Sequence, residues 1–493
     1  MKILFIIPAT GYYRSALSNP LGVLSIATYL KKNGYEVKIY DRNVENINIE
    51  KLMMSYNPDV VGLSVMSARC LKDAIRVSKI VNKLHKTLIW GGQIPTMNTK
   101  LCLSCEYIDY IIMGEGEITW LELVQKILNS EDPSSIDGLA FRQNDQIVIT
   151  KCRAFADLKD LPLIDWTIVK PKNYYQKFYY SDRMLYLFSS KGCPHNCSFC
   201  GNCEYHRCTH RKRPADMVIE EIENLVKNYG MDAVYFTDEE WCVRKEDAYE
   251  FCRMLKEKHL KLVWGCDSRI GQYTKEDLQM MYDAGCRWIL VGIESGSESR
   301  LEKIHKRINT SLIEENVKNC IEIGITPLTT FIIGFPGETE DELKETVNLA
   351  LRIRSKIIQI NHYFPTPGSD LEKELVENGI YKAPETFKEI EKVVATDTLG
   401  NNFSQIPSRD LRVIRSFFNW EVFTGKNTIN RAGSFAFAKD AIYDVFNAIT
   451  KRGILFFIIG FIAAAREFLY VFWHIIAYPG VRKKYGLYHK NKK

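Results

Sequence analysis

The stretch Lys191-Gly192-Cys193-Pro194-His195-Asn196-Cys197-Ser198-Phe199-Cys200 sets three cysteines in the spacing C-x3-C-x2-C, shortly after the apolar run Met184 to Phe188. Three thiolates do not complete a tetrahedral zinc shell, but they hold three irons of a [4Fe-4S] cluster and leave the fourth open to a ligand. Cys193, Cys197 and Cys200 are therefore the candidate metal ligands. The apolar run that feeds this loop reads as a strand.

Downstream the pattern repeats. Apolar runs predict strands at Met184 to Ser189, Ala233 to Thr237, Val263 to Asp267, Trp288 to Ile293, Pro327 to Ile333 and Ile357 to Tyr363. Helical periodicity fills the gaps at Met217 to Tyr229, Lys245 to Lys258, Thr274 to Ala284, Ser299 to Ile304, Ser311 to Glu322 and Glu340 to Ser355. Chemistry-bearing residues follow the strands: Asp238 and Glu239 the second, Arg269 the third, Gly292-Ile293-Glu294-Ser295 the fourth. Gly334-Phe335-Pro336-Gly337-Glu338-Thr339 follows the fifth and Tyr363-Phe364-Pro365-Thr366-Pro367-Gly368-Ser369 the sixth. Glu338 and Thr339 also read as helix-start chemistry.

Upstream, short strands are expected at Lys2 to Ile7, Glu36 to Tyr40, Val60 to Ser64, Leu88 to Trp90 and Tyr110 to Met113. Helices at Gly22 to Asn33, Leu71 to His85 and Ile118 to Leu128 alternate with them, as in a doubly wound parallel sheet. Such sheets bind ligands at the carboxyl ends of their strands. The loop after the first strand lacks G-x-G-x-x-G, which argues against a dinucleotide. The strand ends instead carry Ser64-Val65-Met66-Ser67, Gly91-Gly92-Gln93 and Gly114-Glu115-Gly116, with Asn19-Pro20-Leu21-Gly22 before the first helix. Between the two regions, Leu139 to Arg142 and Gln146 to Ile149 read as a hairpin in a connector.

The cysteine spacing, with Phe199 before the third cysteine, resembles the signature of the radical S-adenosylmethionine (SAM) enzymes, and the glycine motifs resemble the cobalamin-binding domain preceding that core in one large class. The resemblance implies a Rossmann-like cobalamin (B12)-binding domain over residues 1–135, a connector over 136–183 and a radical SAM partial (β/α)6 TIM-like barrel over 184–381. A helical region over 382–452 and an apolar helix with basic tail over 453–493 would follow. It implies that Phe199, Asp238, Arg269, Gly292, Glu294 and Ser295 face SAM, and that Leu21, Gly22, Ser64, Gly91, Gly92, Gly114 and Glu115 face cobalamin. The D-x-H-x-x-G loop of many corrinoid proteins is absent, and the first domain's one histidine, His85, is expected on a helix surface, so the lower face of the corrin should lack a His ligand.

Composition bounds the rest. An apolar fraction of 46% and a charged fraction of 26% over 493 residues fit a folded globular protein of several domains. The 14 cysteines, without a secretory leader, suggest a reducing, cytoplasmic setting. Cys203 and Cys208 are expected to be free, and His195 to lie at the surface or behind the metal ligands. From Lys451 onward there are nine Lys or Arg and one acid, Glu467, so the net charge of +6 belongs to the tail. No basic patch in the body invites nucleic acid. Ile454 to Tyr478 is long enough for a bilayer of ~30 Å, but Arg466-Glu467 near its centre favours a helix lying in the interface, hence peripheral membrane contact.

The expected activity is reductive cleavage of SAM, with electrons from a flavodoxin or ferredoxin type of donor, and methylation of an unactivated carbon in a small-molecule, apolar or lipid-like substrate. An oxidative cyclase on a tetrapyrrole-like substrate and a non-catalytic Fe-S membrane adaptor are the alternatives. A methylthiotransferase would need three further cluster cysteines in the first domain, and Cys70, Cys102 and Cys105 are poorly spaced for that.

Overall fold

Strands that are buried on both faces read as unbroken apolar runs, and KILFII at Lys2–Ile7 (β1) is buried through its four central residues. The computed structural model describes residues 1–10, 18–178, 180–353, 355–395, 401–423, 465 and 469–487. They divide into two compact units: Met1–Gln176 with Glu220–Gly230 and Lys382–Ala395, and Lys177–Ile219 with Met231–Tyr381 and Thr396–Lys493.

In the first unit β1 is followed by α1 (Leu21–Lys32), β2 (Glu36–Asp41), α2 (Ile49–Tyr56), β3 (Val60–Ser64) and α3 (Leu71–Lys83). Then come β4 (Thr87–Gly91), α4 (Gln93–Met97), α5 (Thr99–Leu103), β5 (Tyr110–Ile112), α6 (Glu117–Asn129), β6 (Leu139–Gln143) and β7 (Gln146–Ile149). They form one sheet in the order β2-β1-β3-β4-β5-β6-β7. The first five strands are parallel, the last two antiparallel. The hairpin expected in a connector is thus the edge of this sheet, and the boundary expected at residue 135 moves to Gln176. The cause is pairing: β6 supplies the partner that β5 would otherwise lack. Helix Phe387–Ala395, expected with the C-terminal region, also belongs here, with Phe387 6.0 Å from Trp90 and Ile390 in the same core.

From the boundary at Gln176 the second unit runs through β8 (Gln176–Phe178), β9 (Ser181–Leu187), β10 (Ser190–Lys191), α7 (Asn202–His206) and β11 (Arg211–Lys212); α8 (Ala215–Asn224) begins in it and ends in the Glu220–Gly230 segment of the first, and β12 (Ala233–Phe236) returns to it. It continues with α9 (Lys245–Glu257), β13 (Val263–Ser268), α10 (Lys275–Asp283), β14 (Cys286–Glu294), α11 (Glu298–Lys303) and α12 (Thr310–Ile323). β15 (Thr326–Ile333), α13 (Glu340–Arg352), β16 (Ile357–His362) and α14 (Asp370–Glu377) complete the series. Strands β9, β12, β13, β14, β15 and β16 are neighbours in that order and all parallel. This is the six-strand partial barrel expected from the sequence. Thr339 caps α13 in a capping box with Glu342, as its helix-start chemistry implied.

Helix Ser408–Phe423 packs on β16. Its Asp410, 2% exposed in side chain, takes Lys484 Nζ at 3.2 Å, and Lys484 also reaches Glu340 at 2.5 Å. Part of the basic C-terminal cluster is therefore engaged with acids of its own unit. The helix expected at Phe435 to Ile449 lies outside the described residues, as does most of the apolar segment from Ile454. Its residues 469–477 are helical, with Leu469, Phe472, Trp473 and Ile476 exposed. No described helix is long and apolar enough to cross a membrane.

Candidate functional site

The cysteine loop is closed at its neck, because β10 and β11 pair antiparallel, Ser190 with Lys212 and Lys191 with Arg211. Three consecutive acids after β12 hold it. Asp238, 1% exposed, accepts Ser189 N and Ser190 Oγ at 2.7 Å each, as well as the Ser189 hydroxyl. Glu239 accepts Gly192 N at 2.8 Å and pairs with His206 at 3.1 Å. Glu240 pairs with His195 Nε2 at 3.0 Å and lies 3.4 Å from Cys193 Sγ. Gly192 has φ +86°, and a Cβ there would sit 2.2 Å from Thr209 O, so this turn needs glycine.

Burial raises the Asp238 carboxyl to about 7 in spite of its hydrogen bonds from Ser189 and Ser190. At Glu239 and Glu240 burial also pushes upward, but the histidines beside them outweigh it and hold both below the usual carboxylate value. Burial pushes the Cys193 thiol up to about 12, so a bound cation is needed to make it a thiolate near neutrality.

Cys193, Cys197 and Cys200 are all free thiols. Cys203 and Cys208, expected to be free, form a disulfide: Arg207 and Cys208 at φ +52° and +50° turn the chain back after α7, and the two Cα atoms lie 4.4 Å apart. Arg269 Nη1 stands 3.8 Å from Cys197 Sγ. Ser198 anchors the end of the loop through its N–H to Ile304 O at 3.1 Å and its carbonyl to Leu371 N at 2.9 Å. The Phe199 ring meets Phe335 edge-on at 5.9 Å. A three-thiol loop held this rigidly, with a guanidinium beside one sulfur, suits a cluster bound through three irons.

Two residues expected to face SAM are engaged internally. Asp238 grips Ser189 and Ser190, and Ser295, 0% exposed, bonds Thr346 Oγ1 at 3.0 Å and Ser297 N at 3.1 Å. The reason is the tight turn after β14, where α13 packs so closely that a Cβ at Gly296 would meet Glu345 O at 2.6 Å. Glu294, at φ +69°, pairs with Lys306. Gly292 makes room for that carboxylate, since a Cβ there would lie 2.2 Å from Glu294 Oε1. Sequence reasoning missed Glu240, His206 and Lys306. Glu240 had a signal, being the third acid of the run Asp238-Glu239-Glu240, whereas His206 and Lys306 have none outside the fold.

In the first unit the register sets Ser64 beside Gly91 and Gly91 beside Ile112, so the three ligand-edge motifs stand side by side. Gly92, at φ +108°, lies so close to Val65 O that a Cβ would approach it to 2.9 Å. Gly114 N donates to Thr96 Oγ1 at 3.0 Å, tying two of the loops together, and neither Gly22 nor Gly114 would bring a Cβ within 4 Å of anything. Leu21 begins α1, and Glu115 is half-buried in the loop before α6. The turn after β1 is held by Asp73, which accepts Ala9 N at 2.7 Å and Arg42 Nε at 2.6 Å. Open glycine loops on a rigid parallel edge accommodate a broad flat ligand such as a corrin.

A parallel partial barrel with a gripped three-cysteine loop, and a doubly wound sheet with open glycine loops in the other unit, together define a class of metalloenzyme built on SAM. Residues 187–350 match the Radical SAM superfamily and residues 15–124 the B12 binding domain. The chain belongs to the radical SAM enzymes that carry a B12-binding domain. Its cofactors follow from these matches: SAM and a [4Fe-4S] cluster from the first, cobalamin from the second. The chain is 28% identical over 396 residues, 77% of its length and 84% of the relative's, to an uncharacterized methyltransferase of Pyrococcus horikoshii. It is 28% identical over 398 residues, 76% of its length and 70% of the relative's, to the anaerobic magnesium-protoporphyrin IX monomethyl ester cyclase of Rubrivivax gelatinosus. Its fold is similar to that of the radical SAM methyltransferase TsrM from Kitasatospora setae, with TM-score 0.65, 18% identity, and coverage of 78% of this chain and 76% of that one.

Proposed function

We propose that this enzyme is a cobalamin-dependent methyltransferase acting on an unactivated carbon of an apolar or lipid-like small molecule. The observation that carries the reading is the three-cysteine loop gripped by Asp238, Glu239 and Glu240, in a chain that also holds a B12-binding domain. Support for methyl transfer comes from the relative of Pyrococcus horikoshii, whose name includes that activity. When bound, the cluster supplies the electron that cleaves SAM, and the corrinoid supplies the methyl group.

The protein's part is to bind, orient and keep water out. Arg269 would hold the SAM carboxylate near Cys197, and Phe199, Gly292 and Glu294 would line the same pocket. Leu21, Gly22, Ser64, Gly91, Gly92, Gly114 and Glu115 would cradle cobalamin. Radical SAM enzymes take electrons from an external reductant, here a flavodoxin or ferredoxin type of donor. A cytoplasmic location with peripheral membrane contact through residues 453–493 completes the proposal. Flotation on anionic liposomes, with and without those residues, tests the contact.

A second reading, oxidative cyclisation, is favoured by the Rubrivivax gelatinosus relative. Anaerobic reconstitution with iron, sulfide and cobalamin, followed by methyl-labelled SAM and a reductant, separates the two. If no 5′-deoxyadenosine forms, radical catalysis is refuted. If it forms but label never enters the corrinoid, methyl transfer is refuted and cyclisation stands.

A further inference from the structure

Among the described residues, Asp267 on the inner wall of the barrel is a carboxylate that neither the cluster loop nor the ion-pair network uses. On β13, Trp264 and Cys266 point outward, with Trp264 packed on Trp241 at 4.8 Å, so Gly265 and Asp267 point inward. The Trp288 indole lies over Gly265, where a Cβ would be 2.1 Å from its Nε1. Trp288 is fully buried and stacks with Tyr235 at 6.2 Å and 9°, and Tyr186 meets Tyr235 edge-on at 5.8 Å. One residue-pair step toward the carboxyl end stands Asp267, half-buried, beside Leu290 on β14.

Among the described residues the Asp267 carboxylate accepts one hydrogen bond, from Tyr235 Oη to Oδ1. No Lys, Arg or His among the described residues pairs with it. Burial raises it to about 6, the Tyr235 hydrogen bond lowers it, and the charge of Glu239 raises it further, so it is ionised at neutral pH in a field that is already negative. A half-buried carboxylate without a counter-cation is costly unless a ligand brings one. Aromatic faces beside it add to the attraction for a cation and accept an apolar body.

We infer that Asp267, flanked by Tyr235 and Tyr186, is the substrate anchor of this barrel, and that it takes the ammonium group of a substrate whose remaining body is apolar. The inference rests on the methyltransferase reading of the same barrel and narrows its substrate to an amine.

The test uses the holoenzyme, with cluster and cobalamin, saturated with SAM in the absence of reductant. Isothermal titration compares three probes of one shape: phenethylammonium, 2-phenylethanol and ethylbenzene. The ammonium probe should bind about tenfold or more tightly than the other two. Asp267→Asn should erase that preference, and Tyr235→Phe, which removes a competing donor, should keep it. Iron content and melting temperature show that each variant is folded. Equal binding of the three probes, no binding, or an unchanged preference in Asp267→Asn would each overturn the assignment. Formation of 5′-deoxyadenosine, with entry of label from methyl-labelled SAM into the corrinoid, by the same wild-type sample once reductant is added separates this failure from failure of the methyltransferase reading.

Discussion

Glu294 Oε1 and Lys306 Nζ lie 2.9 Å apart, with side chains 9% and 10% exposed, and the backbone of Glu294 is held at φ +69° to make the contact. Lys306 also stands 5.9 Å from the centre of the Phe199 ring, so the pair joins the end of β14 to the cysteine loop. Removing one partner of a buried pair strands the other charge. Lys306→Ala should destabilise the chain by about 3–5 kcal/mol, and the double variant Glu294→Gln/Lys306→Met should recover much of that loss. Urea unfolding midpoints of the three proteins check this. A single and a double variant of equal stability would show that no charge is stranded.

The Asp238 carboxyl gives the chain a pH-dependent weakness. Burial holds it at about 7 in the folded state against an ordinary 3.8, so the folded chain binds this proton more tightly than the unfolded one. Its stabilising contribution is present in full below about pH 4 and is lost as pH rises through about 7. Asp238→Asn keeps a neutral acceptor for Ser189 N and removes the titration. The stability of this variant relative to wild type should therefore grow by about 1.4 kcal/mol per pH unit between pH ~4 and ~7, then level off. Unfolding midpoints at pH 5, 6, 7 and 8 measure it, and a difference independent of pH would exclude the shift.

Gly192→Ala should damage the metal site without touching a ligand. The position combines φ +86° with a backbone oxygen 2.2 Å from the new Cβ, so the loop must move before Cys193. Iron incorporation after reconstitution should fall several-fold, while cobalamin retention by the other unit stays at the wild-type level. Normal iron content would mean that the Glu239 grip on Gly192 N does not position the loop.

Gly92→Ala is the complementary probe. Its φ of +108° and the approach of Val65 O to 2.9 Å leave no room for a methyl group, and relief would displace the turn that stands beside Ser64 and Gly114. Cobalamin retained after gel filtration, read from its visible spectrum, should drop while iron content is unchanged. Undiminished cobalamin would place the corrin away from this edge.

Much of the fold was legible in the chain because its strands are short and apolar and its helices strongly periodic. β1, β3 and β7 coincide end to end with their predicted ranges, and the six barrel strands fall within a few residues of theirs. The hairpin Leu139–Ile149 was read correctly as strands and wrongly as a connector. Pairing with β5 is a long-range choice that local pattern does not encode. The three-cysteine loop was legible because its thiols are closely spaced along the chain. Ser295 and Asp238, expected to face SAM, also make internal hydrogen bonds that local pattern does not foretell, because a polar residue at a strand end has the same local appearance whether it faces a ligand or caps its neighbours.

By itself, then, the sequence determined the elements, their alternation and the grouping of three thiols in one loop, all of which depend on separations of a few residues. Only tertiary structure decided how those thiols are held. The acids that grip them stand more than forty residues downstream, His206 meets Glu239 thirty-three residues further on, and Cys203 meets Cys208 across the turn at Arg207. It also decided that Asp267 faces inward beside Tyr235, without a counter-cation among the described residues. Burial and pairing are properties of where strands meet, and no stretch of sequence carries them alone.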